Sequence, residues 1–298
     1  MFRMQFGRSA SCVLFTSVAA ACSLSTSVAS AAPSVSGAQG ARTSEKVVEK
    51  LAEKTGSLSS HRAVYEVSLA KVSNSDGVRA ASGNMTYTIT DRCDGYTIET
   101  NLSMDLSFAN GDDNQVEQRY AAWESKDGRS STFRLQVSEN GKVAKAYHGG
   151  IQFNEDGTGV ATYEGDEVTK FDLPRGTLLS TAHTLALIKS AASRDRFMSK
   201  LVIDGSFDEG PFWVTAAIGP EQGGVSPVKS GPASSKDSYW PIGIAYFPMS
   251  SKEELPEYEI MQNLQNTGIT HSMAQDFGGF TLAFKSVKVE PIVAPPCP

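Results

Sequence analysis

Residues 95–108 read GYTIETNLSMDLSF, an unbroken alternation of apolar and polar side chains. Tyr96, Ile98 and Leu102 occupy even-numbered positions, whereas Glu99 and Asn101 occupy odd-numbered positions. Successive side chains of a β-strand point to opposite faces of the sheet, so this run predicts a long strand with one dry face and one wet face. A strand of this kind pairs with neighbouring strands, and the flanking sequence contains further runs with strand character.

Tight turns separate further strand-like runs on both sides. The dipeptides Asp76-Gly77, Asp127-Gly128, Asn140-Gly141 and Asp156-Gly157 lie between runs rich in β-branched and aromatic residues. Asp-Gly and Asn-Gly favour the positive φ angles that short hairpins require. The turns predict an antiparallel meander, and the whole chain predicts a mainly β fold of about 14 strands.

Two segments have a helical period instead. Residues 181–192 place Ala182, Leu185, Ala186 and Ile188 on one stripe, and residues 44–56 begin with a capping serine and end with a glycine. Both are predicted to be helices. Strands resume at Phe197–Ile203, Phe212–Ile218, Ile242–Phe247, Tyr258–Leu264, Ile269–Met273 and Phe280–Val289, with a long loop predicted over residues 223–237.

The amino terminus has the pattern of a secretory signal peptide. Arg3 and Arg8 precede an apolar stretch over residues 12–21, and the small residues 29–31 follow as a cleavage site. The stretch is too short to span a membrane, which takes about 20 residues. We therefore expect residues 1–31 to be removed and the mature protein to be soluble in the periplasm.

The mature chain is expected to begin with a flexible leader over residues 32–43, followed by a single β domain over residues 44–298. No break in composition and no fixed-period repeat marks a second domain. An alternative at the amino terminus is a lipoprotein signal that ends at Cys22. The residues before that cysteine match such a signal only loosely, because a bulky aliphatic residue is absent.

Two cysteines, Cys93 and Cys297, lie outside the predicted signal peptide. In an oxidising compartment two remaining cysteines are expected to pair. The alternative is two free thiols, one of them on the proline-rich tail that ends the chain.

Composition and motifs exclude several classes of function. The chain carries 33 Asp and Glu against 27 Lys and Arg, with a net charge of −6 and no basic block, so we expect no nucleic-acid partner. The glycines at 157 and 159 are not followed by the lysine of a phosphate-binding loop. His61, His148, His183 and His271 lack metal-ligand spacing, so neither a metal nor another cofactor is expected.

His183 is the one histidine that suggests chemistry. It lies near Ser180 and Thr184 and would be positioned to activate a hydroxyl nucleophile, as in an envelope hydrolase. The chain has no Gly-x-Ser-x-Gly or Ser-x-x-Lys sequence to support that alternative. A histidine that orients the turn after Pro174 is favoured, and no catalytic residue is predicted.

Several segments together resemble one family, the periplasmic cell-envelope integrity proteins called EipB, long known as a domain of unknown function. Their order and spacing make the resemblance more specific than any single segment. Two positions depart from it, since Tyr96 stands where a tryptophan is expected and Leu179-Ser180 where an aromatic residue and a proline are expected. The matching segments are residues 58–69, 91–96, 173–178, 181–184, 204–206 and 256–259, together with Cys297.

The resemblance implies an antiparallel β-spiral or open barrel of about 14 strands with one or two helices, similar to the LolA, LolB and LppX carriers. It also implies a Cys93–Cys297 disulfide and marks His61, His183 and Asp204 as positions of functional or structural interest. Such proteins maintain the cell envelope under stress, with a periplasmic tetratricopeptide-repeat protein as a partner and without known catalytic residues. Our hypothesis is a monomeric, non-enzymatic protein that binds a protein partner or an apolar or lipid ligand on its curved sheet.

Overall fold

A computed structural model gives the fold of residues 57–73, 77–223, 238–250, 252, 254–294 and 296–297. Five predicted segments lie wholly or partly outside these residues: the signal peptide, the leader, the helix over residues 44–56, the Asp76-Gly77 turn and the loop at 223–237. The described residues form 15 strands and one helix. The strands are β1 His61–Val72, β2 Val78–Asp91, β3 Gly95–Phe108, β4 Asp113–Ser125, β5 Ser130–Glu139, β6 Lys142–Phe153, β7 Gly159–Glu164, β8 Val168–Leu173, β9 Leu178–Leu179, β10 Phe197–Ile203, β11 Phe212–Ile218, β12 Tyr239–Pro248, β13 Tyr258–Gln265, β14 Thr270–Asp276 and β15 Phe280–Pro291, and the helix is α1 Ser180–Ala192.

All the strands belong to one sheet, in the order β8-β7-β6-β5-β4-β3-β2-β1-β15-β14-β13-β12-β11-β10-β9. The chain runs outward from β1 to the edge strand β8 and crosses through residues 174–177 to the other edge strand, β9. Helix α1 then connects β9 to β10, and the chain returns until β15 pairs with β1. Neighbours are antiparallel except for β9 and β10, which are parallel. The predicted mainly β, antiparallel fold with an open sheet is confirmed.

The sheet must roll up, because its two edges are close in sequence. Fourteen inter-strand spacings of about 4.8 Å would make a flat strip roughly 67 Å wide. The edge strands β8 and β9 are joined only by residues 174–177, and such a connection reaches at most about 18 Å. The two edges do not pair with each other, so the result is an open spiral rather than a closed barrel.

The core fills the inner face of the spiral. In β3 the predicted dry positions, among them Tyr96, Ile98 and Leu102, are buried, whereas Glu99 and Asn101 are exposed. The alternation therefore predicted both the strand and the direction of its side chains.

The predicted turns and helix are present, with two differences in detail. Asn140 and Gly141 have φ angles of 50° and 76°, as the β5–β6 hairpin requires. Helix α1 does not bury the predicted stripe: of those four residues only Ile188 is fully buried, and Ser180, Thr181 and His183 are buried as well. The buried residues lie on one side of the helix, and that side is rotated away from the predicted stripe, so polar residues of the first turn are buried in place of apolar ones. The fifteenth strand is the two-residue β9, which is too short to leave a periodic signal.

Cys93 and Cys297 form a disulfide that joins the β2–β3 turn to the end of the chain. Their Cα atoms are 5.5 Å apart, and 204 residues separate them in sequence. Cys93 has a φ of 71°, a left-handed conformation that the Asp91 carboxylate supports by accepting a 2.9 Å hydrogen bond from the Cys93 N–H.

Candidate functional site

The inner face of the spiral encloses a cavity of about 90 Å³. Its walls come from both halves of the sheet and from the first turn of α1. Most of the lining is apolar, and a few hydroxyl and amide groups interrupt it. The apolar lining residues include Leu58, Met85, Ile89, Ile98, Ile260 and Leu264, and the polar ones include His61, Tyr65, Thr100, Ser180, Thr181, Thr184 and Gln262. A mostly apolar cavity with few polar groups is typical of a binding site.

A buried glutamate holds the start of α1 against the cavity. Glu124, at the end of β4, is 1% exposed. Its carboxylate accepts hydrogen bonds from the Ser180 hydroxyl at 2.6 Å, the Thr181 N–H at 2.8 Å and the Thr181 hydroxyl at 2.5 Å. The negative charge also lies at the positive end of the helix dipole. Leu179, the N-cap residue, provides no side-chain cap, so Glu124 supplies the cap from a distant strand.

Glu124 was not among the residues singled out from the sequence, although a signal for it exists. Even-numbered positions of β4, such as Gln118, Tyr120 and Ala122, point inward and are buried. Glu124 has the same parity, so the strand pattern places an acidic residue inside the sheet. A carboxylate predicted to be buried needs a partner, and that requirement marks the position.

His183 is fully buried on the helix, and neither of its ring nitrogens has a hydrogen-bond partner. Burial lowers its pKa to about 3, so the ring is neutral. The two hydroxyls proposed for it are engaged elsewhere, since Ser180 donates to Glu124 and Thr184 donates to the Ser180 carbonyl oxygen at 3.0 Å. The structure therefore gives no support to a base–nucleophile pair at His183.

Asp204 organises the turn after β10. Its carboxylate accepts hydrogen bonds from the N–H of Ser206, at 2.8 Å, and from the hydroxyl of the same residue. The Asp204 carbonyl oxygen accepts a 3.2 Å bond from the hydroxyl of Tyr163. Burial raises the pKa of the Asp204 carboxyl. Burial first, and then the charges of Asp204 and Glu124, raise the pKa of Tyr120, so these three groups belong to one buried polar cluster.

His61 lies at the cavity wall at the start of β1. Its Nδ1 is 2.7 Å from the carbonyl oxygen of Ser59, and its ring packs at 5.7 Å from the ring of Tyr87. Burial lowers the pKa of His61. Of the three positions marked by the sequence, His61 lines the cavity, whereas His183 and Asp204 are not among its lining residues.

Within the part of the chain that the structure covers, no three His, Cys, Asp or Glu side chains group as metal ligands. No helix there has the length and apolar character needed to cross a membrane.

Comparison with known proteins places these features in context. A family profile described as EipB-like matches residues 52–292. The cell envelope integrity protein EipB of Brucella abortus is 27% identical over 234 residues, which cover 77% of this chain and 83% of that protein. A crystal structure from Brucella abortus, described as a β-barrel-like protein of a domain of unknown function, superposes with a TM-score of 0.74 at 26% identity and covers 80% of this chain and 99% of that one.

Proposed function

Because the chain belongs to the EipB-like family, we propose that it is a non-enzymatic periplasmic protein that supports the integrity of the cell envelope under stress. It does so by holding the apolar end of a lipid or a similar molecule in the cavity inside the spiral. The cavity carries this proposal, because it joins an apolar lining to a few polar groups at the start of α1.

The size of the cavity limits what it holds. Pockets for whole drug-sized ligands are about 300–1,000 Å³, whereas this one is about 90 Å³. It therefore accommodates the end of an acyl chain or another small apolar group. A larger portion of a lipid requires α1 or the open edge of the sheet to move.

The periplasm is supported by three observations. The relative from Brucella abortus is a cell envelope integrity protein, residues 1–31 have a signal-peptide pattern, and the disulfide fits an oxidising compartment. Purification of the mature chain from periplasm and determination of its first residue by mass spectrometry will test the cleavage after Ala31. An intact signal, or a lipid on Cys22, contradicts it.

Native mass spectrometry and lipid extraction of the protein from its own periplasm test the ligand. We expect an apolar molecule to copurify with the wild type and to be lost in Thr100→Leu, which fills the cavity from a buried position. Thr132→Leu makes the same change at an exposed site on β5 and is expected to retain the ligand. Absence of any apolar ligand from the wild type contradicts the proposal.

The envelope role is tested in a deletion strain. We expect loss of the gene to sensitise cells to detergents and to wall-active drugs, with rescue by the wild type and by Thr132→Leu but not by Thr100→Leu. Rescue by both variants to the same extent would show that the envelope role does not depend on the cavity.

A further inference from the structure

The outer face of the sheet carries an exposed apolar strip across β10 to β14. Register pairs place Phe197, Ala217, Gly243, Met261 and Ala274 side by side, one on each strand. Phe197 is 80% exposed and Met261 57% exposed. Large apolar side chains that share one exposed face mark an interaction surface more often than isolated ones do.

A second aromatic pair lies two rows further along the strands, beyond the row that holds Ser199, Thr215 and Glu259. Trp213 on β11 lies opposite Phe247 on β12, and Trp213 is 50% exposed. Tryptophan and phenylalanine are enriched at protein–protein interfaces.

The strip is shaped as a groove of about 690 Å³ rather than as a flat surface. Its lining includes the small residues Ala217, Gly243 and Ala245 and the large apolar residues Phe197 and Met261. The Met261 sulfur lies 2.8 Å from where a Cβ on Gly243 would be, so the thioether lies across the glycine. A flexible methionine beside small side chains adapts readily to an inserted apolar group.

Two carboxylates border the groove. Glu259 on β13 is directly opposite Asp276 on β14 and next to Ala245 on β12. Like charges directly opposite each other destabilise a sheet. Among the described residues neither forms an ion pair, and the Asp276 carboxylate accepts only from the Gly278 N–H, at 2.8 Å, and the Thr281 hydroxyl, at 3.0 Å. A Lys or Arg from outside the sheet would relieve the repulsion.

The size of the strip decides between a second copy and a smaller occupant. Two outward rows across five strands, with Trp213 and Phe247 beyond them, cover on the order of 300 Å², less than half of the 800 Å² that each partner buries in a standard stable interface. The strip is thus too small to hold two copies together, but its width of about 20 Å matches roughly 13 residues of helix.

We propose that this strip is the docking surface for an amphipathic helical segment of a partner protein, with apolar side chains along one side and Lys or Arg beside them. The apolar side chains enter the groove between Phe197 and Met261, and the cations face Glu259 and Asp276. This surface lies on the opposite face of the sheet from the cavity, so the inference does not depend on the ligand.

The test uses a 15-residue amphipathic peptide of Leu and Lys as the probe, labelled for fluorescence anisotropy and titrated with the mature protein. We expect binding that weakens at least tenfold in the double variant Glu259→Gln/Asp276→Asn and at least tenfold in Phe197→Ser/Met261→Gln. Matched controls at exposed sites elsewhere, Glu117→Gln/Asp105→Asn and Val168→Ser/Val143→Gln, are expected to bind as the wild type does.

Three outcomes overturn the inference. The first is no binding to the wild type, and the second is equal binding to all variants or to a Leu–Glu peptide of the same pattern. The third is a dimer, measured by light scattering, that Phe197→Ser/Met261→Gln dissociates, because the occupant is then a second copy. Circular dichroism verifies that each variant is folded. The copurifying apolar molecule is measured in the same variants, and its amount is expected not to change.

Discussion

At the scale of single residues, His183 makes the stability of the protein depend on pH. Its pKa is about 3 in the fold, against about 6.5 in an unfolded chain. The neutral ring therefore stabilises the fold above pH 6.5, and this contribution is lost as the pH falls from 6.5 towards 3. Between pH 7.5 and pH 5 we expect a loss of about 2 kcal/mol from this residue.

The measurement is urea unfolding across that pH range for the wild type and His183→Phe. The variant removes the titrating group, so its free energy of unfolding is expected to fall less steeply with acidification, whatever its absolute value. His148→Phe, at an exposed position on β6 beside Glu164, controls for the replacement of a histidine by phenylalanine, and its slope is expected to remain steeper than that of His183→Phe. Equal slopes in all three proteins would show that His183 is not protected from protonation.

Close packing requires a glycine at position 205. A Cβ at this position would collide with the ring of Phe133, which explains why a glycine stands between Asp204 and Ser206. We expect Gly205→Ala to lower the free energy of unfolding by about 1–3 kcal/mol. Gly279→Ala, where no atom lies within 4 Å, is expected to cost much less, and equal effects would refute the steric explanation.

At the scale of elements, the attachment of α1 to the sheet depends on Glu124. In Glu124→Gln the side chain keeps its shape but presents one acceptor oxygen to the three donors of Ser180 and Thr181. We expect a loss of about 1–3 kcal/mol and faster hydrogen exchange of the Thr181 amide. Glu117→Gln, on the outer face of the same strand, is the control. Unchanged exchange in Glu124→Gln would mean that the helix start is held by packing alone.

The elements also show how far the sequence predicts this fold. The bounds predicted for β10 and β11 are those observed, and in β11 buried and exposed side chains alternate, because the facing of each side chain is a local property. It did not indicate the cap on α1, since Glu124 and Ser180 are 56 residues apart and no local pattern joins them. The buried stripe predicted for α1 is only partly correct for the same reason. Ser180 and Thr181 are polar and so predicted to face solvent, but they are buried because they donate hydrogen bonds to Glu124.

At the scale of the whole molecule, the first and last strands pair with each other within the open sheet. The strand order brings β15 back to β1, and the disulfide then ties the chain end to the β2–β3 turn. The amino-terminal and carboxy-terminal halves of the sheet thus meet at β1 and β15. The two strands with an unpaired edge are β8 and β9, and α1 packs against β9 and β10.

The disulfide adds a covalent constraint to the pairing of the first and last strands. A bridge over 204 residues restricts the unfolded chain, and the loop-entropy estimate is about 5 kcal/mol. We expect Cys297→Ser to lower the melting temperature by about 10 °C and to leave one reactive thiol at Cys93. This variant is preferable to Cys93→Ser, because Cys93 has a left-handed backbone and its replacement adds a local effect. Reduction of the wild type should lower the melting temperature to the value of the variant and should leave the variant itself unchanged. A wild type with two reactive thiols and the melting temperature of Cys297→Ser would show that the bridge does not form.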